Sequence, residues 1–573
     1  MTFNELKKNL KKDFTGFKPL KLALLGDSAT QFLAQAIRGA GYEQQLDINV
    51  YDAGYNQLDR QILDLSSELY MFQPDISLIF EAGHKLLQKF NKTEADARGA
   101  FAENQINRIG QLVDTLQSNL KTKVICFNYA EEDDCVFGNF ANKVPSSFIF
   151  QERKLNYLLA EYAAKNAVFY VCDMSAIQSK LGRDLLFSPS IYINSEMVLS
   201  IDALPVVSES VVRMIAAFQG KHKKCIILDL DNTVWGGVIG DDGLENIQIG
   251  GLGIGKAFTE FQYWVKKLQQ RGIIVGVCSK NTESVAKEPF EKHPDMVLRL
   301  KDIAVFVANW ENKANNIKRI QQFLNIGFDS MVFLDDDPAE RDIVRQNVPD
   351  ISVPELPKDP AEYLEYLYTL NLFETVSYSS EDANRTEQYQ KESKRVAAQA
   401  SFINEGDFLK SLEMLSAVQP FNSFSAPRVA QLSQRSNQFN LRTVRYSEED
   451  INRIIDSVRH HSFSFTLEDK YGDNGLICAV ILEEQQPKEL FIDTWFMSCR
   501  VLKRGMENFV LNTIVDYARN KGYHTIVGKY LPTAKNALVK DHYSNLGFTK
   551  DGALWRLEVA TYHSKKCFIN TKE

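Results

Sequence analysis

The stretch from Cys225 to Trp235 constrains the fold of this chain more than any other. It reads C-I-I-L-D-L-D-N-T-V-W, an apolar run followed by two carboxylates, Asp229 and Asp231. Such a run is typical of a strand that is buried on both faces of a parallel sheet. Because strand side chains alternate, both carboxylates leave the strand on one side, where they repel each other unless a cation, a shared proton or a hydrogen-bonding loop compensates. An ordinary acidic turn is the alternative interpretation.

Three later stretches favour a reactive site over an ordinary turn. A second apolar run ends in Ser279, Lys313 stands at the start of a predicted helix, and a third apolar run ends in Asp335 and Asp336. The chain therefore offers, in order, a carboxylate nucleophile, a hydroxyl, a lysine and metal-ligand acids. Each of these groups lies at a strand end or a helix start, and we expect them to converge.

This ordered set resembles the haloacid dehalogenase superfamily of phosphotransferases. The resemblance implies that Asp229 is the nucleophile that takes up the phosphoryl group and that Asp231 is the general acid/base. It also implies that the Ser279 hydroxyl binds the phosphoryl oxygens and that Lys313 neutralises their charge. These roles agree with the chemistry, because a phosphoryl group in transfer is stabilised mainly by positioning and by positive charge.

The same resemblance implies a Mg²⁺ site. Its ligands are expected to be the Asp229 carboxylate, the Asp231 carbonyl and Asp336, with Asp335 as a further candidate. Mg²⁺ prefers an octahedral set of carboxylates, carbonyls and waters, and it supplies positive charge to the phosphoryl oxygens.

Longer motifs narrow the resemblance to the FkbH-like subfamily. The runs D-L-D-N-T-V-W-G-G-V-I-G-D-D-G, C-S-K-N and F-L-D-D-D-P-A-E-R carry it, and they place Thr233, Lys280 and Asn281 among the substrate-binding residues. Members of this subfamily are understood to take the glyceryl group of 1,3-bisphosphoglycerate and release phosphate. They then pass the acyl group to the phosphopantetheine thiol of an acyl carrier protein. The resemblance therefore implies this phosphorylated substrate and this partner.

Two other functions stay open at this point. The chain could be a phosphomonoesterase whose flanking domains only recruit partners. It could also be a non-catalytic scaffold that binds carrier proteins, although the motif residues are all intact, which argues for catalysis.

Cys278 stands next to Ser279 and has two interpretations. A buried structural thiol is the commoner explanation for a cysteine at the end of an apolar strand. The alternative is an acyl acceptor, because Lys280 and Mg²⁺ would favour the reactive thiolate. Cys499 competes for that role.

The length and charge of the whole chain limit the possible classes of protein. A chain of 573 residues is too long for one core, which predicts three or four domains. A net charge of −8 argues against a general surface for nucleic acid or anionic membranes. No apolar run approaches the length of a spanning helix, and the cysteines form no C-x-x-C pair. We therefore expect a soluble cytoplasmic protein with reduced thiols.

The predicted fold class is α/β, with three domains. Residues 1–220 alternate apolar strands with helical patterns, which predicts a parallel sheet of SGNH or flavodoxin-like type. A G-D-S turn at Ser28 resembles the first block of SGNH-type esterases, but the domain's only histidine, His84, does not fall late in the domain, where that family needs one. The alternative is that Ser28 caps a helix in a domain with a binding or docking role.

Residues 221–375 predict a Rossmannoid domain of haloacid dehalogenase type with a minimal cap. The glycine-rich stretch 236–255 can form a flap but is too short for a folded cap domain. We therefore expect an open site that admits a large substrate or the tethered arm of another protein.

Residues 376–573 predict linker helices followed by a GNAT-like α+β domain. The stretch from Glu381 to Phe408 predicts a helix with a solvated, charged face. A loop with Arg500, Lys503 and Gly505 resembles the pyrophosphate loop of GNAT acyltransferases, which implies binding of CoA or a phosphopantetheine arm. The family has a glycine where Lys503 stands, so that side chain either obstructs the backbone or binds the phosphate itself.

A polar stretch from Ser433 to Asn440 surrounds one aromatic residue, Phe439. It resembles a stretch of the FkbH-like family. The residues alone predict only a polar surface segment.

Overall fold

The computed structural model describes residues 1–378, 385–399, 402, 404–498, 501–533 and 535–572. The chain forms two compact units, residues 1–216 and 217–573. Across these described ranges, no helix combines the length and the apolar character that a bilayer crossing requires.

The first unit is built on a five-stranded parallel sheet in the order β2-β1-β3-β4-β5. Its strands are β1 (Lys18–Gly26), β2 (Leu46–Asp52), β3 (Ile76–Phe80), β4 (Lys123–Phe127) and β5 (Phe169–Cys172). This order is that of flavodoxin-like sheets. The predicted fold class is therefore confirmed for this unit.

Helices alternate with these strands. They are α1 (Phe3–Asn9), α2 (Gln31–Glu43), α3 (Leu58–Leu63), α4 (Glu68–Phe72), α5 (Gly83–Asn91), α6 (Phe101–Asn119), α7 (Phe148–Lys165), α8 (Met174–Leu181), α9 (Arg183–Leu186), α10 (Pro189–Ser195) and α11 (Leu204–Phe218). The longest, α6, buries Ile109, Leu112 and Leu116, which share one face of the helix.

Ser28 does not cap α2, and this prediction is wrong. Thr30 is the residue that precedes the helix, while the Ser28 hydroxyl is buried without a hydrogen-bond partner. The His84 imidazole Nε2 lies 3.2 Å from Glu132 instead. Within residues 1–216, all of which are described, the structure thus shows no base that activates Ser28.

The second unit begins with a four-stranded parallel sheet in the order β8-β7-β6-β9. Its strands are β6 (Cys225–Leu228), β7 (Ile274–Ser279), β8 (Val305–Ala308) and β9 (Met331–Leu334). Leu228, the last residue of β6, pairs with Val277 on one side and with Leu334 on the other. The carboxyl ends of β6, β7 and β9 therefore lie side by side.

Six helices follow the strands of this sheet. They are α12 (Ile239–Asp242), α13 (Gly253–Gln270), α14 (Glu283–Lys292), α15 (Lys313–Leu324), α16 (Pro338–Asn347) and α17 (Tyr363–Leu370), and every residue between 225 and 370 is described. Between β6 and α13 the chain forms the short α12 and a β-bridge from Gly236 to Gln248. This segment is a short flap and not a folded cap domain, as the glycine-rich stretch 236–255 predicted.

The rest of the second unit is a mixed α+β arrangement. In the described residues its sheet has the order β16-β17-β15-β14-β13-β12-β10-β18, with β11 paired to β12. The strands are β10 (Met414–Ser416), β11 (Val418–Gln419), β12 (His460–Asp469), β13 (Gly472–Gln486), β14 (Glu489–Met497), β15 (Thr525–Gly528), β16 (Thr549–Asp551), β17 (Leu554–Glu558) and β18 (Ile569–Thr571). The helices are α18 (Arg385–Gln399), α19 (Glu405–Ser411), α20 (Ala426–Arg435), α21 (Glu448–Ile455), α22 (Met506–Lys521) and α23 (His542–Asn545).

The predicted charged helix from Glu381 to Phe408 is wrong in two respects. Residues 381–384, 400, 401 and 403 lie outside the described residues. The described remainder does not form one helix but contains two, α18 and α19. One of its charges is buried rather than solvated, because the Arg395 guanidinium donates to Asp469 Oδ1 at 2.9 Å. A charge that leaves water needs such a partner.

The polar stretch from Ser433 to Asn440 lies against the phosphatase sheet, so the predicted surface segment is wrong. The Lys224 ammonium, just before β6, donates to the Arg435 carbonyl at 2.8 Å.

Candidate active site

The sheet topology brings the predicted motif residues of the second unit together. Asp229 follows β6, Ser279 ends β7, Asp335 follows β9, and Lys313 is the first residue of α15. The Lys313 ammonium lies 3.0 Å from Asp229 Oδ1 and 2.6 Å from Asp335 Oδ2. Residues from three distant parts of the sequence therefore share one buried site.

Three carboxylates converge around this lysine. Asp229, Asp335 and Asp336 each offer an oxygen, and these oxygens lie within 4.8 Å of one another. Burial raises the pKa of Asp229, with Asp335 adding to the effect and Lys313 opposing it. Burial together with the Asp335 charge also raises the pKa of Asp336, to about 6. The site thus has more negative charge than one ammonium group can balance.

The donor set fits a hard divalent cation. Burial disfavours the Lys313 charge, yet Asp229 and Asp335 raise its pKa, so the lysine remains protonated and accounts for one positive charge. Three crowded carboxylates require more, and oxygen ligands of this kind are the ones that Mg²⁺ takes in proteins. Asp229, Asp335 and Asp336 are the residues that would hold it.

The Asp231 carboxylate is not part of that group and is fixed by three donors. Its Oδ1 accepts from the Trp235 indole N–H and from the Ile239 backbone N–H, each at 3.0 Å. Its Oδ2 accepts from the Asn281 amide at 2.8 Å. The Asp231 side chain is therefore held by two donors of the β6–α13 segment and by Asn281, which follows β7.

Thr233, Ser279 and Asn281 are buried and line the same edge of the sheet. The Thr233 hydroxyl accepts from the Asp336 backbone N–H at 3.1 Å, which ties the first motif to the last. The Ser279 hydroxyl accepts from the Asn281 amide at 3.2 Å. Lys280 pairs with Glu340, so its charge is partly engaged.

Two residues that the sequence did not single out support these loops. The Arg341 guanidinium donates to the carbonyl oxygens of Asp335 and Asp336 at 2.8 and 2.7 Å. The Tyr363 hydroxyl donates to the Asn232 carbonyl at 3.1 Å. Arg341 is the last residue of the F-L-D-D-D-P-A-E-R run. Its place on the helix after Asp335 and Asp336 could have indicated that it supports their loop. No sequence signal connects Tyr363 to a residue 131 positions away.

The environment of Cys278 does not favour an acyl acceptor. The side chain is fully buried, and the thiol contacts the Lys313 carbonyl at 3.7 Å. Burial raises the pKa of the Cys278 thiol despite the opposing Lys313 charge, which disfavours the thiolate. Cys499, the competing candidate, lies outside the described residues.

The predicted pyrophosphate loop is described only in part. Arg500 lies outside the described residues. Lys503 and Gly505 adopt left-handed backbone conformations, with φ of 63° and 76°, and Gly505 immediately precedes α22. The loop therefore turns sharply into the helix, with Lys503 two residues before Gly505.

Comparison with known proteins identifies the first two parts of the chain. Residues 21–216 match the family model described as FkbH, N-terminal domain. A crystal structure of the N-terminal part of a Bacteroides fragilis protein, which contains a phosphatase domain complexed with Mg, is 56% identical and has a TM-score of 0.64. That match covers 66% of this chain and 100% of the other. Among curated proteins, none matches the chain at a significant level.

Two acetyltransferases also match part of the chain. The ribosomal-protein-alanine N-acetyltransferase of Escherichia coli is 14% identical with a TM-score of 0.21, over 26% of this chain and 98% of that one. A mutant spermidine/spermine N-acetyltransferase of Vibrio cholerae is 15% identical with a TM-score of 0.21, over 26% of this chain and 95% of that one. Likenesses this distant support no conclusion about fold or function.

The Bacteroides relative is matched over its whole length, and the second unit carries a phosphatase domain of the haloacid dehalogenase type. Together with the N-terminal match, this places the chain in the FkbH-like family.

Proposed function

We propose that the second unit removes a phosphoryl group from its substrate in a Mg²⁺-dependent reaction at Asp229. The observation that carries this proposal is the contact of Lys313 with both Asp229 and Asp335, at 3.0 and 2.6 Å, inside a cluster of three carboxylates. Such a cluster is stable only with cations nearby, and a phosphoryl group in transfer needs the same positive charge.

The side chains divide the reaction between them. An Asp229 oxygen forms a bond to phosphorus while the bond from phosphorus to the leaving oxygen breaks. Asp231, fixed by Trp235 and Asn281, donates a proton to the leaving oxygen and then takes one from a water molecule that attacks phosphorus. This attack breaks the bond between Asp229 and phosphorus and releases phosphate. Lys313 and the Ser279 hydroxyl hold the phosphoryl oxygens. Mg²⁺, when bound, neutralises charge on those oxygens.

We also propose that phosphoryl transfer at Asp229 is coupled to the transfer of an acyl group. In this account Asp229 takes the phosphoryl group from the C3 ester oxygen of 1,3-bisphosphoglycerate, which leaves the C3 hydroxyl. The phosphopantetheine thiol of an acyl carrier protein attacks the C1 acyl carbon, the C1 phosphate leaves, and the glyceryl group is then held on the carrier as a thioester. Membership of the FkbH-like family supports it, as does the presence of an α+β domain after the phosphatase domain. Residues 376–573 would then receive CoA or the phosphopantetheine arm through the loop that contains Lys503 and Gly505. Because the Cys278 thiol is buried, Cys499 is the better candidate for any acyl group on the enzyme.

Intact-mass analysis tests the coupled proposal. The full chain is mixed with Mg²⁺ and 1,3-bisphosphoglycerate, with and without a phosphopantetheinylated acyl carrier protein. We expect a glyceryl-sized increment on the carrier that requires Mg²⁺ and is absent with Asp229→Asn. Release of phosphate and free glycerate without any increment would instead support a phosphomonoesterase with partner-binding domains. Carrier binding without phosphate release would support a scaffold.

A further inference from the structure

A cavity opens at the carboxyl ends of β3 and β4 in the first unit. Its empty space is about 460 Å³, which includes the opening to solvent. Ligands of parallel α/β sheets bind outside the carboxyl ends of the strands, so the cavity lies where this fold places a ligand. The wall is mostly apolar and is formed by Phe80, Met174, Leu186, Phe187, Val198 and Leu199.

Several polar side chains in the wall already have protein partners. The Asn128 side-chain oxygen accepts from two backbone N–H groups at the start of α8. The Gln178 amide exchanges two hydrogen bonds with the backbone of the loop after β4, at 2.7 and 3.0 Å. The Glu81 carboxylate forms ion pairs with Lys89 and Arg108. These three side chains therefore have little capacity left for a ligand.

His84 differs from the other polar groups of the wall. Its ring stacks on Phe187 with a centroid distance of 3.9 Å, and its Nε2 lies 3.2 Å from Glu132. Its Nδ1 atom makes no hydrogen bond within the described residues. Burial lowers the pKa of His84, with Glu132 opposing this effect and Arg183 adding to it, so the ring is neutral at neutral pH. A neutral imidazole has one donor and one acceptor nitrogen, which suits a hydroxyl group in either tautomer.

The charges around the cavity cancel one another. Arg183 donates to Glu132, so this cation and this anion form a pair. The Glu152 carboxyl lies behind Gly83, where a Cβ atom would stand 3.4 Å from Glu152 Oε1. That oxygen is buried without a hydrogen-bond partner in the described structure, and burial raises the pKa of Glu152 well above its ordinary value. Glu152 is therefore protonated, and the cavity has polar groups without a net charge.

We propose that this cavity binds a small uncharged molecule with an aliphatic body and one hydroxyl group, which contacts His84. The aliphatic body gains free energy by leaving water for the apolar wall. An ionic ligand would lose its hydration without finding an opposite charge that is free to pair with it. Since part of the space belongs to the opening, we expect a short chain of about six carbon atoms rather than a drug-sized molecule. The inference does not depend on the reaction proposed at Asp229.

An NMR saturation-transfer titration of the full chain at neutral pH tests this site. The probes are 1-hexanol, hexanoate and hexylamine, which share one chain length and differ in charge. We expect saturable binding of 1-hexanol that is at least about tenfold tighter than binding of either ion. Failure of 1-hexanol to bind the wild type, or a preference for hexanoate or hexylamine, would overturn the proposal.

Two cavity variants and a matched control locate the bound probe. Val198→Trp fills the cavity and should weaken binding of 1-hexanol by at least about tenfold. Val136→Trp makes the same change at a side chain that is 70% exposed and does not line the cavity, so binding should be unchanged. His84→Phe keeps a ring against Phe187 but removes the nitrogens, and it should weaken binding by about fivefold.

The His84→Phe result decides the question if Val198→Trp fails to fold, which circular dichroism would show. Asp229→Asn should bind 1-hexanol like the wild type. Equal binding by the wild type and either folded cavity variant would overturn the proposal, and so would loss of binding in Asp229→Asn.

Discussion

At the level of single residues, the candidate site depends on how Lys313 offsets three carboxylates. The ammonium group touches Asp229 and Asp335 but leaves Asp336 without a direct cation contact in the described structure. Lys313 and a bound cation therefore share the same negative charge. Replacing the lysine should therefore lower the rate of phosphate release without lowering the affinity for Mg²⁺.

Lys313→Met tests this separation. The variant keeps the length of the side chain but removes its charge, so phosphate release should fall by about 10²–10³-fold, as for other groups that stabilise transition-state charge. Mg²⁺ affinity, measured by calorimetry, should be unchanged or higher, because the carboxylates lose a competing cation. Lower Mg²⁺ affinity in this variant would contradict the account, and Lys256→Met, which removes one exposed charge on α13, is the matched control.

At the level of secondary-structure elements, α23 buries a histidine in an aromatic environment. The His542 ring contacts Trp495 and Phe439 edge-on, with centroid distances of 4.5 and 5.0 Å. Its Nε2 atom has no partner among the described residues, and burial lowers the pKa of His542 to about 3. The folded form therefore keeps this ring neutral at pH values where the unfolded chain protonates it.

This difference predicts a pH dependence of stability. Between an unfolded pKa of about 6.5 and the folded value of about 3, the unfolded state binds more protons, so the free energy of unfolding falls as the pH falls. The His542 share is about 1.4 kcal/mol per pH unit in the lower part of that window. His542→Phe should lack this share when denaturant unfolding is followed at pH 5 and pH 7. If the free energy of unfolding differs between pH 5 and pH 7 by the same amount in His542→Phe as in the wild type, His542 is not the cause.

Much of the element pattern was predictable from the sequence, because apolar runs such as Cys225 to Leu228 have to be buried on both faces. The strand ends also predicted the meeting of Asp229 and Asp335, since parallel strands present their carboxyl ends at one edge. Contacts between distant segments were not predictable. The Tyr363 bond to the Asn232 loop and the unpaired Ser28 hydroxyl depend on tertiary packing, which local patterns do not encode.

At the level of the whole molecule, the second unit joins its two sheets partly through buried charge. Asp469 at the end of β12 accepts from Arg395 of α18, and its other oxygen lies 3.3 Å from Arg504, just before α22. Helix α18 also packs beside β7 and β8 of the phosphatase sheet. The linker helix thus connects the phosphatase sheet to the loop in which the pyrophosphate site was predicted.

Asp469→Asn should weaken this connection strongly. The change removes the more buried of the two carboxylates, Asp469 and Glu392, that both guanidinium groups contact. Breaking a buried pair from one side costs up to about 3–5 kcal/mol. Denaturant unfolding measures the loss. Asp516→Asn, which removes an exposed carboxylate paired with Arg519 on α22, should change stability by less than about 1 kcal/mol. A similar small effect of both substitutions would show that the buried cluster does not stabilise the unit.

The central claim is that one Mg²⁺-dependent pocket transfers a phosphoryl group to Asp229. Peptide mass analysis of the full chain, quenched in acid after mixing with Mg²⁺ and 1,3-bisphosphoglycerate, tests it most directly. The account predicts a phosphoryl-sized increment on the peptide that contains Asp229, dependent on Mg²⁺ and absent from Asp229→Asn. Phosphate release that continues in Asp229→Asn, or an increment on another peptide, would contradict it.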